Sequence, residues 1–328
     1  MKAVVILNPY AGRWAAKRRI PEVQAALQAA GIEFQMHITE GPRHAIELAR
    51  TAVESGCDAV ISAGGDGTIS EVVNGMCQAS FTGGEERVRV ALGVLPLGSA
   101  NDFVVNLNLP RTLEAAAAAL PAAKVRWIDL GKVSYSDGAA QTAPGCAYFD
   151  NNSAMGLEPS ITLIQEKITW LHGSPRYLLA TLLGIIRNAH WTVQLEWDGG
   201  SYRGPVSLVT VGNNPLTGGL FYMTPHADPA DGLLTFVYGY MRTRPQVLQL
   251  LPRTMKPGAG SYVEHPAIHE VHSAWLRMRV EEPTPLHADG EIQTRQAQTI
   301  EYQVLPGRLP VLVPSGGSSG GSSGGSTG

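Results

Sequence analysis

Short apolar runs alternate with amphipathic stretches over the first third of the chain. Residues 3–7, 34–38, 58–62 and 91–95 are short and apolar, which predicts buried strands. Between them, Ile20, Val23 and Leu27 recur at near-helical spacing, and residues 45–53 and 69–76 are also predicted to be helical. Strands that alternate with helices indicate a parallel sheet with both faces covered. We therefore expect an α/β domain at residues 1–125.

The pattern changes near residue 125, where strand-like runs begin to dominate. They lie at residues 126–133, 191–197, 206–211, 233–238, 275–280 and 300–305, which is typical of an antiparallel β domain. Two predicted helices interrupt them, at residues 158–171 and 177–188, and the second is apolar around most of its circumference. Such a helix is either buried or faces lipid. We place a β-sandwich domain at residues 126–305, and residues 306–314 could complete the first domain.

Composition narrows the class of protein. Residues 315–328 contain only Ser, Gly and one Thr, as in a flexible linker or tag. The other residues supply 28 acidic and 25 basic side chains, and a net charge of -3 gives no general attraction to nucleic acid. The three cysteines lack metal-ligand spacing, which favours a reducing compartment.

Targeting signals are weak. The first residues lead directly into a predicted strand and lack the charged region, apolar core and cleavage site of a secretion signal. The longest apolar run, residues 177–186, is too short to span a bilayer. We expect a cytoplasmic protein without a transmembrane segment that contacts the inner membrane surface only peripherally. The basic run at residues 13–19 could provide that contact, or it could be a solvated helix face.

A glycine-rich turn is the main candidate for chemistry. Gly64, Gly65, Asp66, Gly67 and Thr68 follow a predicted strand and precede a predicted helix. Such a turn brings backbone N–H groups and a helix amino terminus toward an anion, and glycine leaves room for phosphate oxygens. The threonine adds a hydroxyl donor, and the aspartate can hold a cation or an ordered water. Alone, the cluster could equally be a tight turn with Asp66 as a helix cap.

Two further strand ends carry matching features. Residues 8–13 close the first strand and residues 97–103 close the fourth, so three strand ends are expected at one crevice. No stretch has the Walker A pattern, and no dinucleotide glycine fingerprint follows the first strand. The sequence therefore predicts a phosphate site of another type.

The ordered set of motifs resembles the catalytic family of diacylglycerol kinases, which includes sphingosine and ceramide kinases and bacterial lipid kinases. The motifs lie at residues 8–9 and 12, 64–68 and 71–75, 98–103, 213–214, 218–219, 225 and 227, 231–233 and 289–291. Residues 64–68 alone are shared with NAD kinases and resemble phosphofructokinase turns. The resemblance implies a Rossmann-like or phosphofructokinase-like α/β domain, a β-sandwich domain and an active site in the cleft between them.

The resemblance also implies the ligands. The family transfers the γ-phosphoryl group of ATP, with Mg²⁺, to a hydroxyl of a lipid such as diacylglycerol. A structural magnesium would fall on Asp231 and on the backbone carbonyls of Asp228 and Leu233, although Ala230 replaces a frequent second aspartate. The residues expected to bind ATP are Asn8, Pro9, Tyr10, Ala11, Gly12, Thr39, Gly64, Gly65, Asp66, Gly67, Thr68, Glu71, Ser99, Asn101 and Asp102.

Three carboxylates are the catalytic candidates. Asp66 would position magnesium, Asp289 would take the proton of the lipid hydroxyl, and Glu291 would be its alternate or its orienting partner. Alternation along a strand would place Asp289 and Glu291 on one face, so the sequence does not separate their roles. An Asp-Gly pair is also typical of a plain hairpin turn.

Two other functions stay open. One is an NAD kinase-like or other soluble-substrate kinase, which the motifs at 98–103 and 289–291 disfavour. The other is a non-catalytic nucleotide or lipid sensor, which the presence of both Asp66 and Asp289 disfavours. The identity of the lipid is open as well, and so is a homodimer, since dimers are the commonest soluble oligomers.

Overall fold

The computed structural model describes residues 1–315 apart from 13–14, 138–143, 169, 172–173 and 188. Arg13, part of the predicted basic run, and nearly all of the Gly/Ser tail therefore lie outside the described residues. Within the described part, no helix is long and apolar enough to cross a membrane.

The first lobe is a parallel α/β domain. Its strands are β1 (Lys2–Leu7), β2 (Glu33–Ile38), β3 (Ala59–Gly64) and β4 (Ala91–Pro96), in the order β2-β1-β3-β4. Every residue of β3 is buried, as expected for a parallel strand with both faces covered. Its helices are α1 (Ala15–Arg18), α2 (Ile20–Ala29), α3 (His44–Glu54), α4 (Asp66–Thr82), α5 (Asp102–Asn106) and α6 (Leu113–Ala119).

Two apolar cores cover the two faces of this sheet. On one face, α3 and α4 pack through residues such as Ala49 and Met76. On the other face, α2 and α6 pack through residues such as Leu27 and Ala116. The helix predicted at residues 69–76 begins earlier, because Gly65 is its N-cap. Asp66, Gly67 and Thr68 therefore form the first turn of α4 rather than a preceding loop.

The second lobe is antiparallel and contains two helices near its centre and one further on. Its elements are β5 (Lys124–Ser136), β6 (Gly145–Phe149), β7 (Asn152–Gly156), α7 (Leu157–Lys167), α8 (Ser174–Arg187), β8 (Trp191–Trp197), β9 (Gly200–Val206), β10 (Leu208–Gly212), β11 (Leu216–Thr217), β12 (Phe221–Tyr222), β13 (Leu234–Gly239), α9 (Arg244–Leu250), β14 (Ile268–Ser273), β15 (Trp275–Ala288) and β16 (Glu291–Val313). Short 3₁₀ helices lie at Leu120–Ala122, Leu251–Met255 and Tyr262–Glu264.

The strand predicted at residues 206–211 is present as β10 but begins later, at Leu208. Residues 206–211 are divided at Ser207, whose N–H donates to the Gly239 carbonyl at 2.8 Å. The chain bends there because β9 pairs with β8, whereas β10 pairs with β7 and β13. Such bends allow a chain to pass from one layer of a β-sandwich to another.

Two long strands join the lobes. β5 and β16 pair antiparallel over most of their length, and Val311 of β16 also pairs in parallel with Leu92 of β4. The predicted fold class, a parallel α/β lobe followed by a β-sandwich-like lobe, is confirmed. The predicted boundaries at 125 and 305 fall inside β5 and β16, and they stay predictions.

Candidate active site

The strand order of the first lobe creates a switch point between β1 and β3. Ligands of open α/β sheets bind outside the carboxyl ends of the strands at such a point. The turns at residues 8–12 and 64–68 follow these two strands directly. Asn8 ties them together, because its Nδ2 donates to Oγ1 of Thr68 at 3.0 Å.

Glycines let the turns approach each other. A Cβ added to Gly98 would lie 2.5 Å from the Cα of Gly65, so the turn after β4 packs against the turn after β3 backbone to backbone. A Cβ on Gly64 would lie 2.3 Å from Oγ1 of Thr68. These distances leave no space for a side chain, and three strand ends therefore meet at one crevice.

The amino terminus of α4 faces this crevice. First-turn amides of a helix have no acceptor within the helix, and their N–H groups together with the helix dipole favour an anion. Asp66 and Gly67 supply such amides. The arrangement suits a phosphate group, because glycine at position 67 adds no side chain in front of it.

Two carboxylates lie beside the turn. Asp66 Oδ1 accepts a hydrogen bond from the Phe103 N–H at 3.1 Å, and Asp102 Oδ1 accepts one from the Gly219 N–H at 2.7 Å. Burial, and then the charge of Asp66, raise the pKa of Asp102 to about 7. Burial also raises the pKa of Asp66. A cation between them would relieve this cost of negative charge.

A divalent ion at this place would need ligands beyond the protein. In the described ranges, no group of three or more acidic, histidine or cysteine side chains could hold a metal. Mg²⁺ usually binds through one or two carboxylates together with substrate phosphates and waters. Asp66 and Asp102 fit that pattern.

Of the other residues expected to bind ATP, Glu71 and Asn101 hold main-chain groups of neighbouring segments. Both carboxylate oxygens of Glu71 accept main-chain N–H groups at the start of α3, from Arg43 at 2.8 Å and Ala45 at 3.2 Å. The Asn101 side chain bonds both the N–H and the carbonyl of Gly98, each at 3.1 Å. Thr39 is buried beside the end of β1, whereas Ser99 is exposed at the rim.

The Asp289-Gly290 pair forms the turn between β15 and β16. Ala288 pairs with Glu291, and the two residues between them have φ angles of 47° and 80°. Positive φ at both central residues is typical of a type I′ hairpin turn. The expectation that strand alternation places Asp289 and Glu291 on one face is therefore wrong, because Asp289 is not in a strand.

The Asp289 carboxylate accepts three main-chain hydrogen bonds. Its donors are the N–H groups of Asp150, Asn151 and Asn152, at 3.1, 3.0 and 3.0 Å. Burial nevertheless raises its pKa to about 6. Burial and the Asp289 charge raise the pKa of Asp150 well above its usual range, so this carboxyl pair retains a proton more readily than isolated groups would.

Glu291 brings the second lobe to the phosphate turn. Its Oε1 lies 3.5 Å from the position that a Cβ on Gly67 would take. Burial, and then the charges of Glu71 and Glu166, raise its pKa. A carboxylate of one lobe therefore faces the first turn of α4 in the other.

An apolar cavity lies behind the hairpin, between α7, α8, α9 and the sheet. Its volume is about 90 Å³, which is small beside the roughly 300–1,000 Å³ typical of small-molecule sites. Its wall includes one acidic side chain, Glu158. Apolar residues of the wall include Ile161, Ile185, Met223, Met241 and Leu250.

The surface of α8 next to the cavity is also apolar. Leu178, Leu182 and Ile186 are exposed, and their spacing of four residues places them along one side of the helix. Thr181 and Ile185 of the same helix line the cavity. The helix predicted to be either buried or lipid-facing is thus buried on one side and exposed on another.

Two family models together cover nearly the whole chain. The diacylglycerol kinase catalytic domain matches residues 2–133, and the YegS C-terminal NAD kinase beta sandwich-like domain matches residues 152–313. The chain belongs to the diacylglycerol kinase family of lipid kinases. The resemblance noted in the sequence is confirmed.

Proteins of this lipid kinase family align with the chain along nearly their full length. The chain is 29% identical over 308 residues to the "Probable lipid kinase YegS-like" of Chromohalobacter salexigens, covering 92% of this chain and 91% of that protein. It is 28% identical over 321 residues to a diacylglycerol kinase of Mycobacterium tuberculosis, covering 96% of each.

Solved structures share the fold. A diacylglycerol kinase from Bacillus anthracis superimposes with a TM-score of 0.70 at 20% identity, over 96% of this chain and 97% of that one. Yeast NADH kinase reaches a TM-score of 0.52 at 10% identity, over 96% of this chain and 84% of that one. At these identities the likeness shows the fold alone.

Sequence reasoning missed several buried groups of this lipid kinase. Asp150 and Asn152 hold the hairpin between β15 and β16, and Asn213 and Asn214, which form the motif at 213–214, both donate to the Asp150 carbonyl, at 3.1 and 2.8 Å. Residues 150–152 form a polar run between two apolar strands, and this run was a signal that could have drawn attention. Glu158 had no comparable signal.

The loop predicted to hold a structural magnesium contains Asp228 and Asp231. The charges of both contribute to raising the pKa of Asp129, after burial. However, Asp228 and Asp231 each bond an N–H two residues further on, at 3.0 and 2.8 Å, and Asp129 bonds the Gly232 N–H at 2.7 Å. The structural magnesium of this lipid kinase stays a prediction.

Proposed function

We propose that this protein transfers the γ-phosphoryl group of ATP, with Mg²⁺, to a hydroxyl of a membrane lipid. The observation that carries the proposal is the approach of Glu291 to Gly67, with Oε1 3.5 Å from the Cβ position of that glycine. This approach places the Glu291 carboxyl, which can accept or donate a proton, opposite a turn that is suited to bind phosphate. Phosphoryl transfer needs donor and acceptor oxygens held in line and their charge neutralised, with little covalent work by the protein.

The first lobe would hold the nucleotide. Amides of Asp66 and Gly67 at the start of α4 are suited to phosphate oxygens, and the turn at residues 8–12 closes the crevice from the side of β1. Asp66 and Asp102 would hold Mg²⁺ together with the phosphates. When bound, that ion would neutralise part of the negative charge on the transferred phosphoryl group.

The second lobe would activate the acceptor, and the hairpin suggests a division of labour. Asp289 is engaged by three main-chain N–H groups, so it serves to hold the turn. Glu291 extends toward Gly67, and its raised pKa suits a group that takes a proton from an alcohol. This assignment exchanges the roles that the sequence suggested for the two carboxylates.

The apolar features would serve the lipid. The cavity bounded by α7, α8 and α9 could take part of an acyl or alkyl chain, since its wall is almost entirely apolar. The exposed side chains of Leu178, Leu182 and Ile186 adjoin that cavity and could rest in the surface of a bilayer. Peripheral contact with the inner membrane surface would then deliver the substrate.

The test is transfer of label from γ-labelled ATP with Mg²⁺. Diacylglycerol, monoacylglycerol, phosphatidylglycerol and sphingosine would be offered in mixed micelles, and NAD and sugar phosphates in parallel. Label in the organic phase is expected, and it should disappear with the Glu291→Gln protein, which excludes a contaminating kinase. Label on NAD alone would reject a lipid acceptor, and binding of ATP and lipid without transfer would favour a sensor.

A further inference from the structure

Glu158 is a buried acid in an apolar wall. It is the second residue of α7, its exposed fraction is 8%, and it lines the cavity beside Ile161 and Met223. Its Oε1 has no hydrogen-bond partner among the described residues. A buried carboxylate oxygen without a donor is costly, and such a group calls for an explanation.

The other carboxylate oxygen is already engaged. Oε2 of Glu158 accepts a hydrogen bond from Asn152 Nδ2 at 3.2 Å and lies 3.5 Å from His287 Nε2. His287 Nδ1 accepts from the Gly290 N–H at 3.2 Å, so the proton of the neutral ring is on Nε2, toward Glu158. Only Oε1 is left to serve a group that enters the cavity.

One residue separates Glu158 from the catalytic hairpin. Asn152 donates its main-chain N–H to Asp289 at 3.0 Å and its side-chain amide to Glu158 at 3.2 Å. A lipid whose hydroxyl is presented near this hairpin, with its chain in the cavity, would carry its adjoining polar groups past Glu158. The acid is therefore placed to contact the part of the lipid next to the reacting hydroxyl.

A carboxylate oxygen accepts hydrogen bonds and donates none when ionised. The polar groups of diacylglycerol other than its reacting hydroxyl are ester oxygens, which also only accept. A monoacylglycerol offers a second hydroxyl, and a long-chain amino alcohol offers an ammonium. A site built around a buried polar group discriminates strongly against ligands that leave it unpaired.

We propose that Glu158 is a specificity-determining residue, whose Oε1 accepts a hydrogen bond from a second donor on the lipid, next to the hydroxyl that is phosphorylated. The inference rests on the proposed lipid kinase function and narrows its substrate class. The acceptor is then a lipid that carries a hydrogen-bond donor beside its reacting hydroxyl, which diacylglycerol lacks. The donor is a hydroxyl or an ammonium.

The test is a pair of lipids that differ only in the donor. Turnover of 1-oleoylglycerol and of its 2-O-methyl ether would be compared in mixed micelles at saturating ATP and Mg²⁺, with sphingosine and diacylglycerol in parallel. We expect the wild-type protein to discriminate at least tenfold in kcat/KM against the methyl ether. Glu158→Gln should reduce that ratio severalfold, whereas Met241→Leu, which changes another residue of the cavity wall, should keep it. Preference for sphingosine over 1-oleoylglycerol would identify the donor as an ammonium.

The inference is overturned if the wild-type protein uses the two matched lipids equally, or if Glu158→Gln lowers kcat/KM for both by the same factor. The proposed lipid phosphorylation would stand in either case. The affinities of the same lipids, measured by calorimetry, test the role of Glu158 independently of turnover. If no lipid is phosphorylated, the proposed function fails, and the binding ratio of the matched lipids still decides the role of Glu158. If Glu158→Gln does not fold, Glu158→Asp replaces it, because the shorter side chain moves the carboxylate away from the lipid and should also reduce the ratio.

Discussion

The phosphate side and the acceptor side of the cleft are built by different means. On the phosphate side, backbones pack against each other, and Gly65 and Gly98 leave no room for a side chain between two turns. On the acceptor side, buried side chains form the structure. Asp289 is held by residues nearly 140 positions earlier in the chain, and Glu158 lies against His287.

This difference implies different sensitivities. A crevice made of backbone does not depend on the ionisation of side chains, but it depends strongly on volume. A hairpin held by buried carboxylates depends on charge and on protonation, because each carboxylate costs free energy when ionised out of water. Changes of charge should therefore affect the acceptor side, and changes of volume should affect the phosphate side.

The largest expected effect separates the two carboxylates of the hairpin. Glu291→Gln should lower kcat by about 10²–10⁴-fold, the usual contribution of a general base, with an unchanged melting temperature. Asp289→Asn should lower both kcat and stability, since an amide nitrogen would face the N–H of Asp150 or Asn151 and lose a partly buried hydrogen bond, which costs about 1–3 kcal/mol. Turnover and thermal unfolding measure the two effects.

Both variants should bind ATP as the wild-type protein does, which a fluorescent nucleotide would report. The opposite result, in which Glu291→Gln turns over normally and Asp289→Asn is stable but inactive, would return Asp289 to the role of base. It would also show that the acceptor side is less dependent on buried charge than the comparison implies.

The second effect concerns Asp102, which lies in the first lobe and accepts a hydrogen bond from the Gly219 N–H in the second lobe. Its pKa is raised from 3.8 to about 7 by burial and by Asp66, so the folded protein holds this proton more tightly than the unfolded chain does. That contribution to stability is complete below about pH 4 and is lost as the pH rises through about 7. Asp102→Asn has no such titration.

The unfolding free energy of Asp102→Asn, relative to wild type, should therefore rise by about 2–4 kcal/mol between pH 4 and pH 8. Denaturant titrations of both proteins, in the presence of a chelator so that no cation binds, provide the measurement. A difference that stays constant, or that falls with pH, would mean that Asp102 is ionised at little cost.

The same contrast explains what could be predicted from the sequence. The parallel lobe follows from short apolar runs, and the turn at residues 64–68 from its glycines, because each depends on neighbours in the chain. The start of α4 at Asp66, three residues before the predicted start, also depends on a neighbour in the chain, because Gly65 is the N-cap. Glu158 and His287 carry no local pattern, since they lie more than 100 positions apart in the chain and the packing of the sandwich brings them together.

The smallest expected effect tests the backbone contact of the phosphate side directly. Gly98→Ala would place a Cβ 2.5 Å from the Cα of Gly65, so the two turns must separate, and the KM for ATP should rise about tenfold or more while lipid binding is unchanged. Gly258→Ala is the matched control, because a Cβ there meets nothing within 4 Å. Unchanged nucleotide affinity in Gly98→Ala would mean that the turns can move apart freely. The phosphate side would then owe its geometry to side chains such as Asn8, as the acceptor side does.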